Sequence, residues 1–203
     1  MAHVDVPDIP RQSDLRLPAD ATALIVVDMQ NDFVDEAGAL HVPDAAETVP
    51  RIRELADRAL DAGARLVFTQ DWHTEDDREF DVWPRHAVMD TWGARIVDGL
   101  EPDRADRVIR KLRYDAFYGT PLDHVLRDWG IEHVVVVGTV ANICVLHTAA
   151  SAALRWFDVT LVEDAVSALT PFDLDATLRQ LDFLYGGRIV ASENLRLDAA
   201  SPR

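Results

Sequence analysis

The chain is poor in several residue types, and each scarcity argues against a class of structure. Its 203 residues include one cysteine, Cys144, so no disulfide can form within the chain, which fits a reducing compartment. No apolar run approaches the roughly 20 residues of a membrane span. Only nine glycines occur, and no phosphate-binding glycine loop is present, which argues against nucleotide binding. A G-x-S-x-G nucleophile elbow is also absent.

Basic residues are scarce as well, and all but one are of the same type. The formal net charge is −16, and every base except Lys111 is arginine. Because there is no Lys/Arg-rich run, we expect neither nucleic acid nor an anionic membrane as a partner. Residues 1–20 lack the apolar centre of a signal peptide, so we expect a soluble, cytoplasmic protein. The acidic, lysine-poor composition is typical both of salt adaptation and of a GC-rich genome, and it does not distinguish them.

Short apolar runs alternate with helical patterns along the chain. The runs are residues 23–27, 66–69, 108–109, 134–137, 159–162 and 189–190, and the helical patterns are 44–63, a start at Thr120, 144–156 and 173–185. Apolar runs without alternation are typical of strands buried on both faces. We therefore expect a single-domain α/β fold, with an open, mostly parallel six-stranded sheet and helices on both faces. The domain is predicted to span 21–197, between an N-terminal extension (1–20) and a C-terminal tail (198–203).

One connection in this pattern is unusually long. From residue 70 to about 106 we expect at most one short helix, near 94–100. Long irregular connections are usually functional or disordered, and three of the five tryptophans in this segment favour a functional role.

Three reactive side chains follow predicted strands. Asp28 follows the first run, Lys111 the third, and Cys144 lies where the fourth run turns into a helix. Since ligands bind at the carboxyl ends of the strands in open α/β sheets, these groups are expected to meet at one edge. A neighbouring ammonium and a helix N-terminus favour the thiolate, and a carboxylate can move the thiol proton to a leaving group.

Each of these residues also has an ordinary structural explanation. A buried cysteine is commonly an inert hydrophobe, an aspartate after a strand commonly forms a turn, and a lysine is commonly a solvated charge. Lys111 departs from that explanation because every other base is arginine. A compact ammonium in a tight site cannot be replaced by a guanidinium, which favours a functional role.

The long connection also contains a possible metal-binding set. Asp71, His73, Glu79 and His86 offer oxygen and nitrogen donors that suit one divalent ion such as Zn, Fe or Mn. The alternative is a solvated acidic loop.

These residues lie in motifs that together resemble the isochorismatase-like cysteine hydrolases, and within them the nicotinamidase/pyrazinamidase branch. The resemblance spans about residues 23–190. Its motifs are ALIVVDMQNDF (23–33), QDWH (70–73), EFDVWPRH (79–86), KLRYDAFYGTPL (111–122) and GTVANICV (138–145). It implies the three-layer, Rossmann-like fold of that family.

The resemblance implies roles for the reactive residues. Asp28, Lys111 and Cys144 correspond to a catalytic triad. The backbone amides of Val140 and Cys144 correspond to an oxyanion hole, beside a cis peptide bond at Thr139–Val140.

The resemblance implies a metal and substrate site too. Asp71, His73 and His86 correspond to metal ligands, and Glu79 lies where many members have histidine. Phe33 and Trp83 correspond to the aromatic pair that encloses a pyridine ring. The resemblance therefore implies three partners: one divalent metal ion, a small aryl amide and, as in many relatives, further copies of the chain.

The implied reaction is the deamidation of nicotinamide to nicotinate and ammonia, and likewise of pyrazinamide, through a thioester on Cys144, as a step of NAD salvage. Hydrolases of ureidoacrylate, N-carbamoylsarcosine or biuret keep the triad but generally lack the metal set, and they are the alternative. Two further alternatives are a non-catalytic binding protein, which should have lost a triad residue, and a metal-hydroxide hydrolase that does not need Cys144.

Overall fold

Eight strands occur in the computed structural model, which describes residues 7–199. They are β1 (Leu15–Pro18), β2 (Thr22–Val27), β3 (Arg65–Asp71), β4 (Arg107–Lys111), β5 (His133–Gly138), β6 (Asp158–Val166), β7 (Arg188–Val190) and β8 (Leu195–Asp198). Six of them form one sheet in the order β4-β3-β2-β5-β6-β7, and every neighbouring pair is parallel. The predicted open α/β sheet is confirmed, and each of the six apolar runs lies in one of its strands.

Five α-helices accompany the strands. They are α1 (Asn31–Val34), α2 (Ala45–Ala62), α3 (Leu122–Asp128), α4 (Leu146–Leu154) and α5 (Pro171–Tyr185). The predicted helix 44–63 is therefore present as α2, and Gly63 ends it in the left-handed conformation. The predicted helix 144–156 differs at its start, because residues Ala141–Val145 form a π-helical turn before α4 begins. None of the helices in residues 7–199 is both long and apolar enough to cross a bilayer.

The central strands explain why their sequences are continuously apolar. Leu24 and Val26 of β2 pack in one core with Ile52 of α2. Ile25, which points to the other face, packs in a second core that includes Leu122 of α3. Because helices cover both faces of the sheet, neither face of β2 can carry polar side chains.

The long connection contains no α-helix, which agrees with the expectation of at most one, and residues 94–100 are irregular. Short 3₁₀ turns occur instead at Arg78–Asp81 and Pro102–Arg104. The backbone of 94–97 bonds to the segment after β2: Asn31 N–H donates to the Arg95 carbonyl, and Val97 N–H donates to the Met29 carbonyl. These contacts satisfy backbone groups that a helix would have satisfied internally.

A second, two-stranded sheet joins the two ends of the described chain. β1 pairs in parallel with β8, in the register Leu15 to Leu195. Leu15, Leu17 and Leu195 are all buried in the core on the α2 side. Residues 15–18 of the predicted extension therefore pack against the domain, while its exact limits stay a prediction.

Candidate active site

The end of β2 places Asp28 in the interior, where its side chain is fully buried. Its φ of 48° is left-handed, a conformation that aspartate adopts more readily than most residues. Gly138 ends the neighbouring strand β5, and a Cβ there would lie 2.2 Å from the carbonyl oxygen of Val27. Glycine is thus required for these two strand ends to approach each other.

Lys111, at the end of β4, lies between three other reactive groups. Its Nζ is 2.7 Å from Oδ2 of Asp28 and 2.5 Å from Oδ1 of Asp71. It also lies 3.7 Å from Sγ of Cys144. Thr69 donates to the second oxygen of Asp28 at 2.6 Å. The structure therefore brings the three predicted triad residues into one fully buried cluster, together with Asp71.

The charges in this cluster set the resting state of the thiol. Burial, the largest cause, raises the pKa of Cys144 well above its ordinary value; the Asp28 and Asp71 carboxylates act in the same direction, and Lys111 acts against them. This direction is opposite to the expectation that the thiolate is favoured, so the thiol needs a base. Burial also raises the pKa of Asp28. For Lys111, burial lowers the pKa, but the carboxylates outweigh it and hold the pKa well above the ordinary value.

The backbone before Cys144 turns sharply. The Thr139–Val140 peptide bond is cis, as the resemblance implied. The amides of Ile143 and Val145 donate back to the Val140 carbonyl at 3.1 and 3.2 Å. The N–H of Val140 donates to no backbone carbonyl within residues 7–199. This amide is therefore available to a substrate oxygen.

Two histidines of the long connection direct their Nε2 atoms toward the same point. Nδ1 of His86 lies 2.7 Å from the Pro84 carbonyl, and Nδ1 of His73 lies 3.0 Å from Oδ2 of Asp77. Since both partners are acceptors, each Nδ1 carries the proton and each Nε2 carries a lone pair. Burial lowers the pKa of His86, which favours the neutral form that a metal requires.

These lone pairs and the nearby carboxylates fit a divalent metal ion. Asp71, His73 and His86 each offer a donor atom, and the three atoms lie within 4.8 Å of one another. Oε1 of Glu79 lies 4.0 and 3.8 Å from the two Nε2 atoms. Metal–ligand bonds of about 2.1 Å at tetrahedral angles place neighbouring ligands about 3.4 Å apart, so small side-chain movements would bring these atoms around one ion.

Unsatisfied polar atoms support the same interpretation. Among the described residues, Nε2 of His73 and Oε2 of Glu79 are buried without a hydrogen-bond partner. Burial and the Asp71 charge raise the pKa of Glu79 more than His73, Arg113 and Lys111 lower it, so its carboxylate is compensated only in part. Buried polar groups are normally paired, and a cation at this point would pair them.

A pocket of about 100 Å³ connects Cys144 to the donor set through Asp71, Glu79 and His86. One water needs about 10–15 Å³ on this measure, so the pocket admits a ligand the size of roughly seven to ten waters. Phe33 and Trp83, the predicted aromatic pair, both line it. The full lining is Phe33, Leu40, His41, Val42, Asp71, Glu79, Trp83, His86, Tyr114, Val140, Ile143, Cys144 and Leu169.

Two supporting residues were not predicted from the sequence. Tyr114 lines the pocket, and its hydroxyl accepts a 2.9 Å hydrogen bond from Nε1 of Trp83. The side-chain carbonyl of Gln30 accepts from the backbone N–H of Asp71 at 2.8 Å, and its NH₂ group donates to the Asp71 carbonyl at 2.9 Å. Both residues lie inside the motifs quoted above, which is the signal that could have identified them.

Comparison with known proteins shows which family the chain is similar to in sequence and fold. Residues 22–194 match the isochorismatase domain. A ureidoacrylate amidohydrolase of Methylorubrum extorquens is 32% identical, over 87% of this chain and 82% of its own. The N-carbamoylsarcosine amidase structure from Thermoplasma acidophilum is 38% identical, with a TM-score of 0.78 over 85% of this chain and 96% of that one. The zinc complex of Pyrococcus horikoshii pyrazinamidase is 35% identical, with a TM-score of 0.79 over 84% and 99%.

These three relatives are named for different amide substrates. Their similarity therefore does not distinguish the nicotinamidase branch from its alternatives. What they share with this protein is the fold and a domain that covers most of the chain. The chain therefore belongs to the isochorismatase family.

Proposed function

We propose that this protein is a metal-containing cysteine amidohydrolase that converts nicotinamide, or a similar neutral aryl amide, to the carboxylic acid and ammonia. One observation carries the proposal: Asp71 and His86, two members of the donor set that also includes His73, line the same small pocket as the Cys144 thiol. A nucleophile and a metal site that share a pocket suit a substrate with a reactive carbonyl and a second donor atom.

The charge of the pocket favours a neutral substrate. Its lining within the described residues contains the carboxylates of Asp71 and Glu79 and no lysine or arginine. Ureidoacrylate and N-carbamoylsarcosine each carry a carboxylate, and the lining offers no guanidinium or ammonium to pair with it. The rings of Phe33, Trp83 and Tyr114 suit an aromatic ligand instead.

Catalysis begins with removal of the thiol proton. Asp28, which has an oxygen within 4.8 Å of Sγ of Cys144, takes the proton from that thiol, and Lys111 then stabilises the thiolate. Because burial raises the pKa of Asp28, its carboxylate is a stronger base than an exposed aspartate. The raised pKa of Lys111 keeps its ammonium charged throughout.

The thiolate then forms a bond to the amide carbon. The amides of Val140 and Cys144 receive the developing oxyanion. Asp28 returns its proton to the nitrogen, the C–N bond breaks, and ammonia leaves a thioester on Cys144. Asp28 next takes a proton from an attacking water, and cleavage of the C–S bond releases the acid and restores the thiol.

A divalent metal ion would be held by Asp71, His73 and His86, with Glu79 beside them. Such an ion supplies a Lewis acid that binds a ring nitrogen and orients the substrate. These four side chains would position it in the water-poor interior next to Cys144.

A ureido or carbamoyl amide is the second candidate substrate. The identities of 32% and 38% with the ureidoacrylate and N-carbamoylsarcosine hydrolases favour it.

Ammonia release from a panel of amides tests the proposal. The panel comprises nicotinamide, pyrazinamide, benzamide, ureidoacrylate and N-carbamoylsarcosine, each with the metal-loaded protein and after chelation. We expect nicotinamide and pyrazinamide to be hydrolysed fastest, and chelation to reduce the rate. Benzamide is the control for the ring nitrogen and should react more slowly. Fastest turnover of a carboxylate-bearing substrate, insensitive to chelation, would establish the second candidate instead.

A further inference from the structure

We infer that Asp77 is a positioning residue of the metal site, which orients His73 through one carboxylate oxygen and Glu79 through the other. The inference rests on the proposed function, because it assumes that these residues bind a metal. It assigns a role to a residue that has no place among the expected ligands.

The contacts of Asp77 use both of its oxygens. Oδ2 lies 3.0 Å from Nδ1 of His73. Oδ1 accepts the backbone N–H of Glu79 at 2.9 Å, which begins the 3₁₀ turn Arg78–Asp81. Arg113 donates to both oxygens, at 3.0 and 3.1 Å. The Asp77 side chain is only 5% exposed, so these contacts replace water almost completely.

The contact with His73 determines which ring nitrogen can bind a metal. A carboxylate can only accept, so it holds the His73 proton on Nδ1 and leaves the lone pair on Nε2. That Nε2 lies 4.0 Å from Oδ2 of Asp71 and 4.0 Å from Oε1 of Glu79. Asp77 thus presents the lone pair of His73 to the other donors.

The contact with Glu79 sets the position of its backbone rather than its carboxylate. Glu79 belongs to a single 3₁₀ turn, an element too short to hold its own position. The bond from its N–H to Asp77 ties that turn to the same carboxylate that orients His73. One side chain therefore fixes the distance between two donors that are six residues apart.

Arg113 connects this arrangement to the catalytic lysine. It lies two residues after Lys111, and its Nη1 is also 3.6 Å from Oε2 of Glu79. The guanidinium therefore holds Asp77 in place from the strand end that carries Lys111.

Asp77→Asn is the sharpest test because asparagine keeps the shape of the side chain. Its one carbonyl oxygen can accept a hydrogen bond from the Glu79 N–H or from the His73 ring. Its NH₂ group, which can only donate, then faces the other partner. If the amide faces His73, Nδ1 becomes the acceptor and the proton moves to Nε2, where it blocks the metal. If the amide faces Glu79, two N–H groups meet and the turn loses its bond.

The affinity for Zn²⁺ is measured by competition with a chelating dye, for wild type, Asp77→Asn and Asp76→Asn. Asp76 is the matched control, since it is exposed in the same loop and bonds to Thr74 only. We expect Asp77→Asn to weaken Zn²⁺ binding by about 10- to 100-fold and Asp76→Asn to leave it unchanged. Asp77→Asn should melt somewhat lower without metal, since its contacts with Glu79 and Arg113 weaken. The affinities are therefore compared at a temperature at which every metal-free variant is folded, which separates positioning from general destabilisation.

The outcomes distinguish this inference from the proposed function. Equal Zn²⁺ affinity of Asp77→Asn and Asp76→Asn would overturn the role of Asp77 and leave the proposed function intact. If the wild type itself binds no Zn²⁺, both are overturned.

The tautomer of His73 in the metal-free wild type gives a test that needs no variant at this position. A long-range ¹H–¹⁵N correlation spectrum of the neutral ring should place the proton on Nδ1. A proton on Nε2 would refute the inference even if Asp77→Asn failed to fold.

Discussion

Replacing Lys111 by methionine removes the cation from the buried cluster. The new side chain is unbranched and of similar length. The ammonium lies 2.7 Å from Asp28 and 2.5 Å from Asp71, and its side chain has no exposed surface. In the variant, these two carboxylates face each other with oxygens within 4.8 Å and no positive charge between them. The metal-free protein must therefore fold around two uncompensated negative charges, or bind a proton.

The cost follows from this geometry. Two unit charges 4.8 Å apart repel by about 3.5 kcal/mol at an effective dielectric constant of 20. Removing one partner of a buried ion pair generally costs about 3–5 kcal/mol, which agrees with this value. We therefore expect the free energy of unfolding to fall by about 3–5 kcal/mol at pH 7.5. At about 2–4 °C per kcal/mol for a chain of this size, the melting temperature should fall by roughly 6–20 °C.

The loss should depend on pH in a defined direction. The pKa of Asp28 is already raised by burial in the wild type, and removal of Lys111 raises it further. A carboxyl whose folded pKa exceeds its unfolded pKa destabilises the protein fully above the folded value. The stability is recovered as the pH falls toward the unfolded value. Urea denaturation of the chelated protein should therefore show a smaller deficit at pH 5.0 than at pH 7.5.

Arg16→Met is the matched control for this experiment. Arg16 lies 2.7 Å from an oxygen of Asp198, the same distance that separates Lys111 from Asp28, but both partners are more than half exposed. Exposed pairs contribute about 0.2–1 kcal/mol, so this variant should lose no more than that. The reasoning is refuted if Lys111→Met loses no more than Arg16→Met at pH 7.5, or loses the same amount at both pH values.

Three further predictions concern catalysis. Cys144→Ala should abolish ammonia release without weakening Zn²⁺ binding; surviving amidase activity would favour a metal-hydroxide mechanism. Lys111→Arg should also be inactive although it keeps the charge, since a guanidinium does not fit between three groups within 3.7 Å of Nζ; wild-type turnover would contradict this. Tyr114→Phe removes the acceptor of the Trp83 indole and should raise KM by about two- to twelve-fold, the equivalent of one hydrogen bond. Steady-state kinetics with an unchanged KM would show that Trp83 needs no anchor.

The fold was largely predictable from the sequence because helices cover both faces of the sheet. Burial on both faces requires continuous apolar runs, and these runs located all six strands of the large sheet. The same pattern predicted that Asp28, Lys111 and Cys144 would lie at one edge. Residues 94–100 do not form the one short helix that their pattern allowed, because their backbone bonds instead to the segment after β2.

The supporting interactions of the site were much harder to predict. Asp77 looks like any acidic loop residue, and only the folded chain brings Arg113 to it. The ionisation of Cys144 was also mispredicted from local features. Its nearest expected neighbour was an ammonium, but burial, with two carboxylates acting in the same direction, raises the pKa of the thiol.

The two-stranded sheet of β1 and β8 has a consequence for the order of folding. Leu15 and Leu195 meet from positions about 180 residues apart, so their contact closes nearly the whole described chain into a loop. Among the strand pairings of residues 7–199, this one closes the longest loop and so costs the most conformational entropy. It is therefore expected to form late. The matched family domain, residues 22–194, excludes both strands. A protein trimmed to those limits would keep every residue of the candidate site, yet it would lose the two-stranded sheet of β1 and β8 that covers one side of its core.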